Sequence, residues 1–174
     1  DVLKLKDEVL RGVYAYGLER PSKIQLDTYN PIIDGKDLLA QSQSGSGKTL
    51  AYCLPLLNMI DIDDNNTQSL ILLPTRELVT QVYDVLNSIS VKIEKIKIKT
   101  LYGGTQISVD LKSLRTNRPH IVIGTVGRVL DMIQRKSLRI NRLKTLVLDE
   151  ADEMLNKGFQ TQIRALFNYI SPET

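Results

Sequence analysis

The chain is 174 residues long, which suits one domain built on a single sizeable core. With 42% hydrophobic and 25% charged residues it has an ordinary globular composition, and a net charge of +3 leaves no polybasic arm, so any anion-binding surface must be local. No apolar run reaches the ~18 residues of a membrane span and no cleavable leader is visible; the one cysteine, Cys53, excludes an internal disulfide and fits a reducing compartment.

Along the chain, short apolar runs alternate with helical patterns. Asp37–Gln41 is the first expected strand, and Gly47–Ile60 behind it has the pattern of an apolar helix in which Cys53 is buried and inert. Asp61-Ile-Asp-Asp-Asn-Asn66 reads as a solvated connection into a strand at Ser69–Leu73. After a helix at Arg76–Ser88, Lys97–Leu101 is expected as a strand. The period of two in Lys95-Ile-Lys-Ile-Lys99 marks it as an edge strand with one wet face; its lysines could touch nucleic acid, but edge protection is the simpler reading. A strand at His120–Gly124, a helix at Gly127–Gln134, a strand at Thr145–Leu148 and a helix at Phe159–Ile170 complete the alternation. Four of the five strands read as apolar enough to be buried on both faces, so the expected fold class is α/β, a parallel sheet flanked by helices on both faces. His120 has no metal-ligating companions and is expected to be structural.

Ala40-Gln-Ser-Gln-Ser-Gly-Ser-Gly-Lys48-Thr49 has the make-up of a phosphate-cradling loop. Backbone N–H groups must converge on the anion, which calls for glycine where a β-carbon would block approach, and a helix must start there so that the positive end of its dipole faces the phosphates. The strand at 37–41, the loop Ser44-Gly45-Ser46-Gly47 and a helix opening at Lys48 meet these conditions. Lys48 would bridge the β- and γ-phosphates and Thr49 would set its hydroxyl on Mg²⁺. The strict pattern asks for glycine where Ser42 stands; the plain alternative, a Ser/Gly-rich turn before a helix, is weakened by the order of strand, loop, Gly-Lys-Thr and helix.

The strand Thr145–Leu148 runs into Asp149-Glu150. Asp149 would hold Mg²⁺ through water, and Glu150 would orient and polarise the attacking water, so Lys48, Asp149 and Glu150 form the expected catalytic set. Alone, such a pair is often a helix N-terminus stabilised by negative charge; beside a phosphate loop the catalytic reading is the stronger. A guanine-reading Asn-Lys-x-Asp is absent, since Asn156-Lys157-Gly158-Phe159 lacks the aspartate, so GTP is not expected.

With Asp149-Glu-Ala-Asp152 the chain resembles the DEAD-box RNA helicases, and the resemblance covers essentially all of residues 1–174. Gly17-Leu-Glu-Arg-Pro21-Ser22-Lys-Ile24-Gln25 is similar to the Q motif, residues 40–49 to motif I, Pro74-Thr-Arg-Glu-Leu78 to motif Ia, Gly103-Gly104 to the GG motif, Thr125-Val-Gly-Arg128 to motif Ib and residues 149–152 to motif II. Arg11-Gly-Val-Tyr-Ala-Tyr-Gly17 and Asp149-Glu-Ala-Asp-Glu-Met-Leu155 look most like the translation initiation factor 4A branch. The resemblance implies a RecA-like domain of the P-loop NTPase type, with ATP and Mg²⁺ as cofactors. Gln25 would read adenine through its amide, with Pro21 and Ser22 shaping that segment. Pro74, Thr75, Arg76, Gly103, Gly104, Thr125, Gly127 and Arg128 would hold RNA by its sugar-phosphate backbone, hence without sequence preference. Surface ion pairs Arg76–Glu77 and Arg128–Asp131 are the plain alternative for the two arginines.

The chain departs from the family at Leu18 (usually aromatic), Val79 (usually alanine) and Val126, where proline would pre-set the start of a helix. In the family a strand ending in Ser-Ala-Thr and a second RecA-like lobe follow. The chain is therefore expected to be a truncated fragment, the first lobe of a two-lobe ATPase, with little turnover alone. Local duplex unwinding in translation initiation or mRNA metabolism is the implied function. An ATP-gated RNA clamp serving as an assembly platform is the alternative, and an ATPase indifferent to nucleic acid is a third. Scaffold or accessory translation factors are implied partners, no membrane is, and the cytoplasm is the expected compartment with the nucleus as alternative.

Overall fold

A computed structural model describes residues 2–174, so Asp1, the first residue of the expected domain, lies outside the described residues. Two compact units make up the chain: the first ends at Asp61 and takes in Asp84–Lys95, and the second comprises Ile62–Tyr83 and Ile96–Thr174.

The first unit holds helices α1 (Asp7–Ala15), α2 (Lys23–Ile33) and α3 (Lys48–Met59), together with the second half of α4 (Arg76–Ile89). Asp7 and Glu8 lie in the first turn of α1, where negative charge favours the helix, and Val9 and Val13 turn inward. The Gln25 Oε1 of α2 reaches back to accept from the Ser22 N–H at 2.9 Å, closing one of the free donors at that helix start. α3 buries nearly every residue from Leu50 to Leu57, and Cys53 is among them, as its apolar surroundings imply.

Asp37–Gln41 is not a strand. It is an exposed coil in which Leu39 is 97% exposed, and no strand among the described residues pairs with it. A strand exists only as one side of a ladder; two leucines and an alanine without β-branched neighbours do not hold an extended conformation by themselves.

The second unit is built on β1 (Ser69–Leu73), β2 (Ile98–Leu101), β3 (Ile121–Thr125) and β4 (Thr145–Leu148), all parallel, in the order β2-β3-β1-β4. Helices α5 (Ile107–Thr116), α6 (Val126–Gln134), α7 (Ala151–Asn156) and α8 (Gln160–Phe167) connect and cover them. Leu70 and Leu72 of β1 and Val122 of β3 point to one face and pack with Val129, Met132 and Ile133 of α6 and Ile163 and Leu166 of α8. Sealing each such side chain from water contributes about 1.5–3 kcal/mol, so this face is the main support of the unit. Gly124 lets β3 pass close to its neighbours: a β-carbon there would stand 2.5 Å from both the Leu101 carbonyl oxygen and Val129 Cγ2.

Only β1 and β3 are buried along nearly their whole length. β4 is half-buried throughout, against the expectation of four sealed strands, because with β2 it forms an edge of this sheet. β2 is at the edge, as its lysine alternation requires. The lysines have partners: Lys97 donates to Asn65 Oδ1 at 3.0 Å and Lys99 pairs with Asp110 at 3.0 Å. His120 is buried at the head of β3, where its Nδ1 accepts from the Lys97 N–H at 3.0 Å, which fits a structural histidine.

Candidate nucleotide and RNA site

In the first unit the loop before α3 has the backbone of an anion cradle. Gly45 and Gly47 stand at φ +79° and +89°, in the left-handed region, and Gly47 is the N-cap of α3, which has no side-chain cap hydrogen bond among the described residues. Ser46 Oγ donates to Ser42 Oγ at 2.8 Å, so the serine that departs from the strict pattern ties the loop across its width. Lys48 and Thr49 open the helix half-buried, and Ser44 sits exposed on the turn.

The Q-motif glutamine lies against this loop. Gln25 is 5% exposed, and its Nε2 donates to the Gly47 carbonyl at 3.2 Å while its Oε1 accepts from Ser22. A β-carbon on Gly47 would stand 2.5 Å from Gln25 Nε2 and 3.0 Å from Ser22 Oγ, so the contact demands glycine on steric grounds as well as by φ. An amide has two N–H donors and two lone pairs; Gln25 commits one of each here and keeps one of each. Pro21 and Ser22 precede α2, and the Ser22 Oγ is buried without a hydrogen-bond partner among the described residues.

In the second unit every remaining predicted residue falls at the C-terminal ends of the parallel strands. The pairings Leu73 with Thr125, Leu72 with Leu148 and Leu101 with Gly124 make those ends flush. Pro74, Thr75 and Arg76 follow β1, Gly103 and Gly104 follow β2, Thr125, Gly127 and Arg128 join β3 to α6, and Asp149-Glu150 follows β4. The Thr75 Oγ1 accepts from the Leu78 N–H at 3.3 Å and caps α4. Arg76 lays its guanidinium over the Tyr102 ring, 4.8 Å from the centroid.

Arg128 is held inside the protein. Its side chain is 9% exposed; Nη1 pairs with Asp110 Oδ2 and donates to Thr105 Oγ1 at 2.9 Å, and Nη2 donates to the Thr105 carbonyl at 3.0 Å. Asp110, 6% exposed, also pairs with Lys99. Neither surface pair of the plain alternative forms among the described residues: Asp131 binds Arg135 at 2.9 Å, and Arg76 stacks on Tyr102. Asp110, Tyr102 and Thr105 are contributors that motif reading passes over, and the one signal available was an acidic residue in the otherwise neutral run after Gly103-Gly104. Val126 is the first residue of α6 and is 2% exposed in the core cluster, so the residue in proline's place anchors the helix start by burial.

Asp149 is 8% exposed. Its N–H donates to the Leu72 carbonyl at 3.0 Å, and its Oδ1 accepts from the Glu150 N–H at 2.9 Å. Glu150 stands at φ +52°, ψ +44°, a left-handed conformation that costs a non-glycine residue about 1–2 kcal/mol. It turns the chain sharply from β4 into α7 and serves as that helix's N-cap. Asp152 lies exposed in the first turn of α7.

The sequence profile described as DEAD/DEAH box helicase matches residues 22–174. Among solved structures, the chain is similar to a DEAD box protein from the hyperthermophile Methanococcus jannaschii, at 35% identity and a TM-score of 0.91 over 98% of this chain and 46% of that one. It is also similar to S. cerevisiae Dbp5 bound to RNA and ADP BeF3, at 31% identity and a TM-score of 0.89 over 100% of this chain and 44% of that one. A third match is Dbp5 bound to Nup159, Gle1, IP6 and ADP, at 31% identity and a TM-score of 0.85 over 98% and 44%. The chain thus spans less than half the length of the structures it matches.

Proposed function

Because the chain belongs to the DEAD/DEAH box helicase family, we propose that it is the ATP-binding lobe of an ATP-dependent RNA helicase. The observation that carries this reading is the flush row at the strand C-terminal ends. From β2 to β4 it runs Gly103-Gly104, Thr125–Arg128, Pro74–Arg76 and Asp149-Glu150. Loop N–H groups, hydroxyls and guanidinium groups in one row suit the sugar-phosphate backbone of RNA, which they hold without reading bases. Dbp5, similar over the whole of this chain, has been solved with RNA and a nucleotide analogue, which supports the same use here.

The phosphate loop fits ATP. Two left-handed glycines and an uncapped α3 N-terminus offer N–H groups to the phosphates, and the spare donor and acceptor of Gln25 match an adenine N7 and N6–H edge. Lys48 would neutralise β- and γ-phosphate charge. Among the described residues no three His, Cys, Asp or Glu side chains converge as a metal cage. A Mg²⁺ ion that keeps its waters and borrows phosphate oxygens needs few protein ligands, and the family resemblance names Thr49 in the first unit and Asp149 in the second for that role. The ion would spread the charge that develops on the transferred phosphoryl group. Glu150, held by its left-handed turn, would orient the attacking water.

The wider role is local RNA duplex unwinding, with binding closing this lobe on a second RecA-like lobe and hydrolysis releasing it. The segments Arg11–Gly17 and Asp149–Leu155 favour the initiation factor 4A branch, and with it translation factors as partners. Titration with a fluorescent ATP analogue tests the site: Lys48→Ala should abolish binding that the unaltered chain shows weakly. The chain alone should turn over little ATP, because the charge-stabilising arginines of the family lie on the second lobe. RNA-stimulated hydrolysis by residues 1–174 would overturn that account. In the two-lobe protein, multiple-turnover duplex separation marks a helicase, whereas long RNA retention in ATP with slow hydrolysis marks the clamp.

A further inference from the structure

The opposite pole of the same sheet carries a second concentration of positive charge. β1 and β3 begin side by side, Ser69 opposite Ile121, and the segments leading into them line a pocket of about 200 Å³ together with residues from the C-terminal ends of α5 and α6. Arg115, Arg118, Lys136 and Arg139 stand exposed around it, and its lining holds neither a carboxylate nor an aromatic ring. None of these four cations forms an ion pair among the described residues. Asp64, on the loop that enters β1, is engaged by Arg142 at 3.7 Å and by Asn66.

Helix dipoles account for half of this cluster. Arg115 lies in the last turn of α5 and Lys136 just past the end of α6, where helix carbonyls favour a cation. Arg118 and Arg139 lie beyond both helices and have no such reason to be there. Four like charges around one cavity repel one another until an anion enters. Lys136 is further constrained at φ +57°, a left-handed conformation that a lysine rarely adopts.

We propose that this pocket binds an acidic peptide segment of a partner protein, its carboxylates set on the four cations of the rim. Charge selects the anion: Leu114, Pro119 and Leu138 are buried beneath the rim, so the surface offered to an occupant is that of the cations. The lining has no aromatic ring, so a nucleic acid strand would be held here by charge alone, with nothing for its bases to stack on. Arginine forks hold carboxylates bidentately, so three arginines and a lysine suit a run of Asp and Glu. The five residues of β1, at a rise of about 3.3 Å each, put roughly 16 Å between this pole and the flush row, so the occupant would leave RNA contacts free.

The probe is a fluorescein-labelled Asp-Glu-Leu-Asp-Glu-Leu peptide titrated by anisotropy against this chain, beside tripolyphosphate and an oligouridylate of equal charge. Saturable peptide binding is expected, several-fold weaker when NaCl rises from about 50 to 200 mM. Arg118→Ser and Arg139→Ser should each weaken it about tenfold, with ATP-analogue and RNA binding unchanged and an unchanged urea midpoint showing an intact fold. Absence of saturable binding, binding that survives both arginine substitutions, or tighter binding of tripolyphosphate or oligouridylate at this pocket would each overturn the proposal.

Discussion

Removing the carboxylate of Asp110 tests how the loops after β2 and β3 are held. Asp110 and Arg128 are 6% and 9% exposed as side chains, so they form a buried pair, with Lys99 as a second partner at 23%. Truncating one member of such a pair strands the other charge and costs about 3–5 kcal/mol, which sets the expectation for Asp110→Ala. Asparagine keeps an acceptor and loses only the charge. A hydrogen bond to a charged group contributes about 1.5–3 kcal/mol against about 0.5–1.5 for a neutral one, so Asp110→Asn should cost about 1–2 kcal/mol. With a urea slope of about 2 kcal/mol per molar, its midpoint should fall by roughly 0.5–1 M. The discriminating measurement is the double-mutant cycle of Asp110→Asn with Arg128→Gln, where two groups in contact should couple by at least ~1 kcal/mol. Additivity within about 0.3 kcal/mol would refute the buried latch, and so would an Asp110→Asn variant with undiminished RNA affinity.

Three other outcomes follow from the geometry. Gly47→Ala places a β-carbon 2.5 Å from Gln25 Nε2 at φ +89°, so affinity for a fluorescent ATP analogue should fall at least about tenfold; an unchanged Kd would mean that the loop is not the cradle. Val126→Pro, at the first position of α6, should be tolerated and should raise RNA affinity about two- to threefold by fixing that helix start; equal affinity would remove valine as the weak point of motif Ib. Burial holds the Tyr29 hydroxyl above its usual pKa, with a hydrogen bond to Asn58 opposing. The neutral phenol is therefore favoured in the fold, so this contribution is complete below pH ~10 and is lost as pH rises through the folded value. Urea midpoints at about pH 9 and 11 should differ less in Tyr29→Phe than in the parent, and an equal difference would contradict the assignment.

Where the sequence reading succeeds, the signal is local. Ser69–Leu73 and Thr145–Leu148 have the expected bounds because each is an apolar run closed by a turn-forming or polar residue, and the turn before α3 is legible because φ above zero selects glycine at Gly45 and Gly47. Where it fails, the deciding partner is distant in the chain or absent from it. Asp37–Gln41 looks like a strand, but strand formation belongs to a pair. Glu150 adopts a conformation that its residue type disfavours, and nothing around it announces this. Asp110 and Arg128 are 18 residues apart and meet only because a crossover returns the chain from β2 to β3, so local reading offers Arg128 only its near neighbour Asp131 as an alternative to RNA. Four helices, α1, α2, α5 and α7, lie outside the expected ones: α5 is largely polar, and α7 has only six residues, too few for a period to show.

The latch at Arg128 bears on the RNA contact proposed for that residue. A guanidinium has five N–H donors, and three of them are committed to Asp110 and Thr105. At 9% exposure the rest reach solvent poorly, so a phosphate meets the turn Gly103–Thr105 that Arg128 anchors more readily than it meets the guanidinium. Directly neutralised phosphates and positioned loops leave different marks on salt dependence. Removing a cation that neutralises one phosphate of a single strand lowers the slope of log K against log salt by about 0.7, whereas loosening a neutral loop lowers affinity at nearly constant slope. Arg128→Gln is therefore expected to weaken RNA binding with a slope change well under ~0.7, and Arg76→Gln, whose guanidinium is solvent-facing over Tyr102, to change it by nearly the full amount. A full change for Arg128→Gln would mean that the Asp110 pair opens to admit a phosphate, and would make the buried carboxylate a competitor of RNA instead of its support.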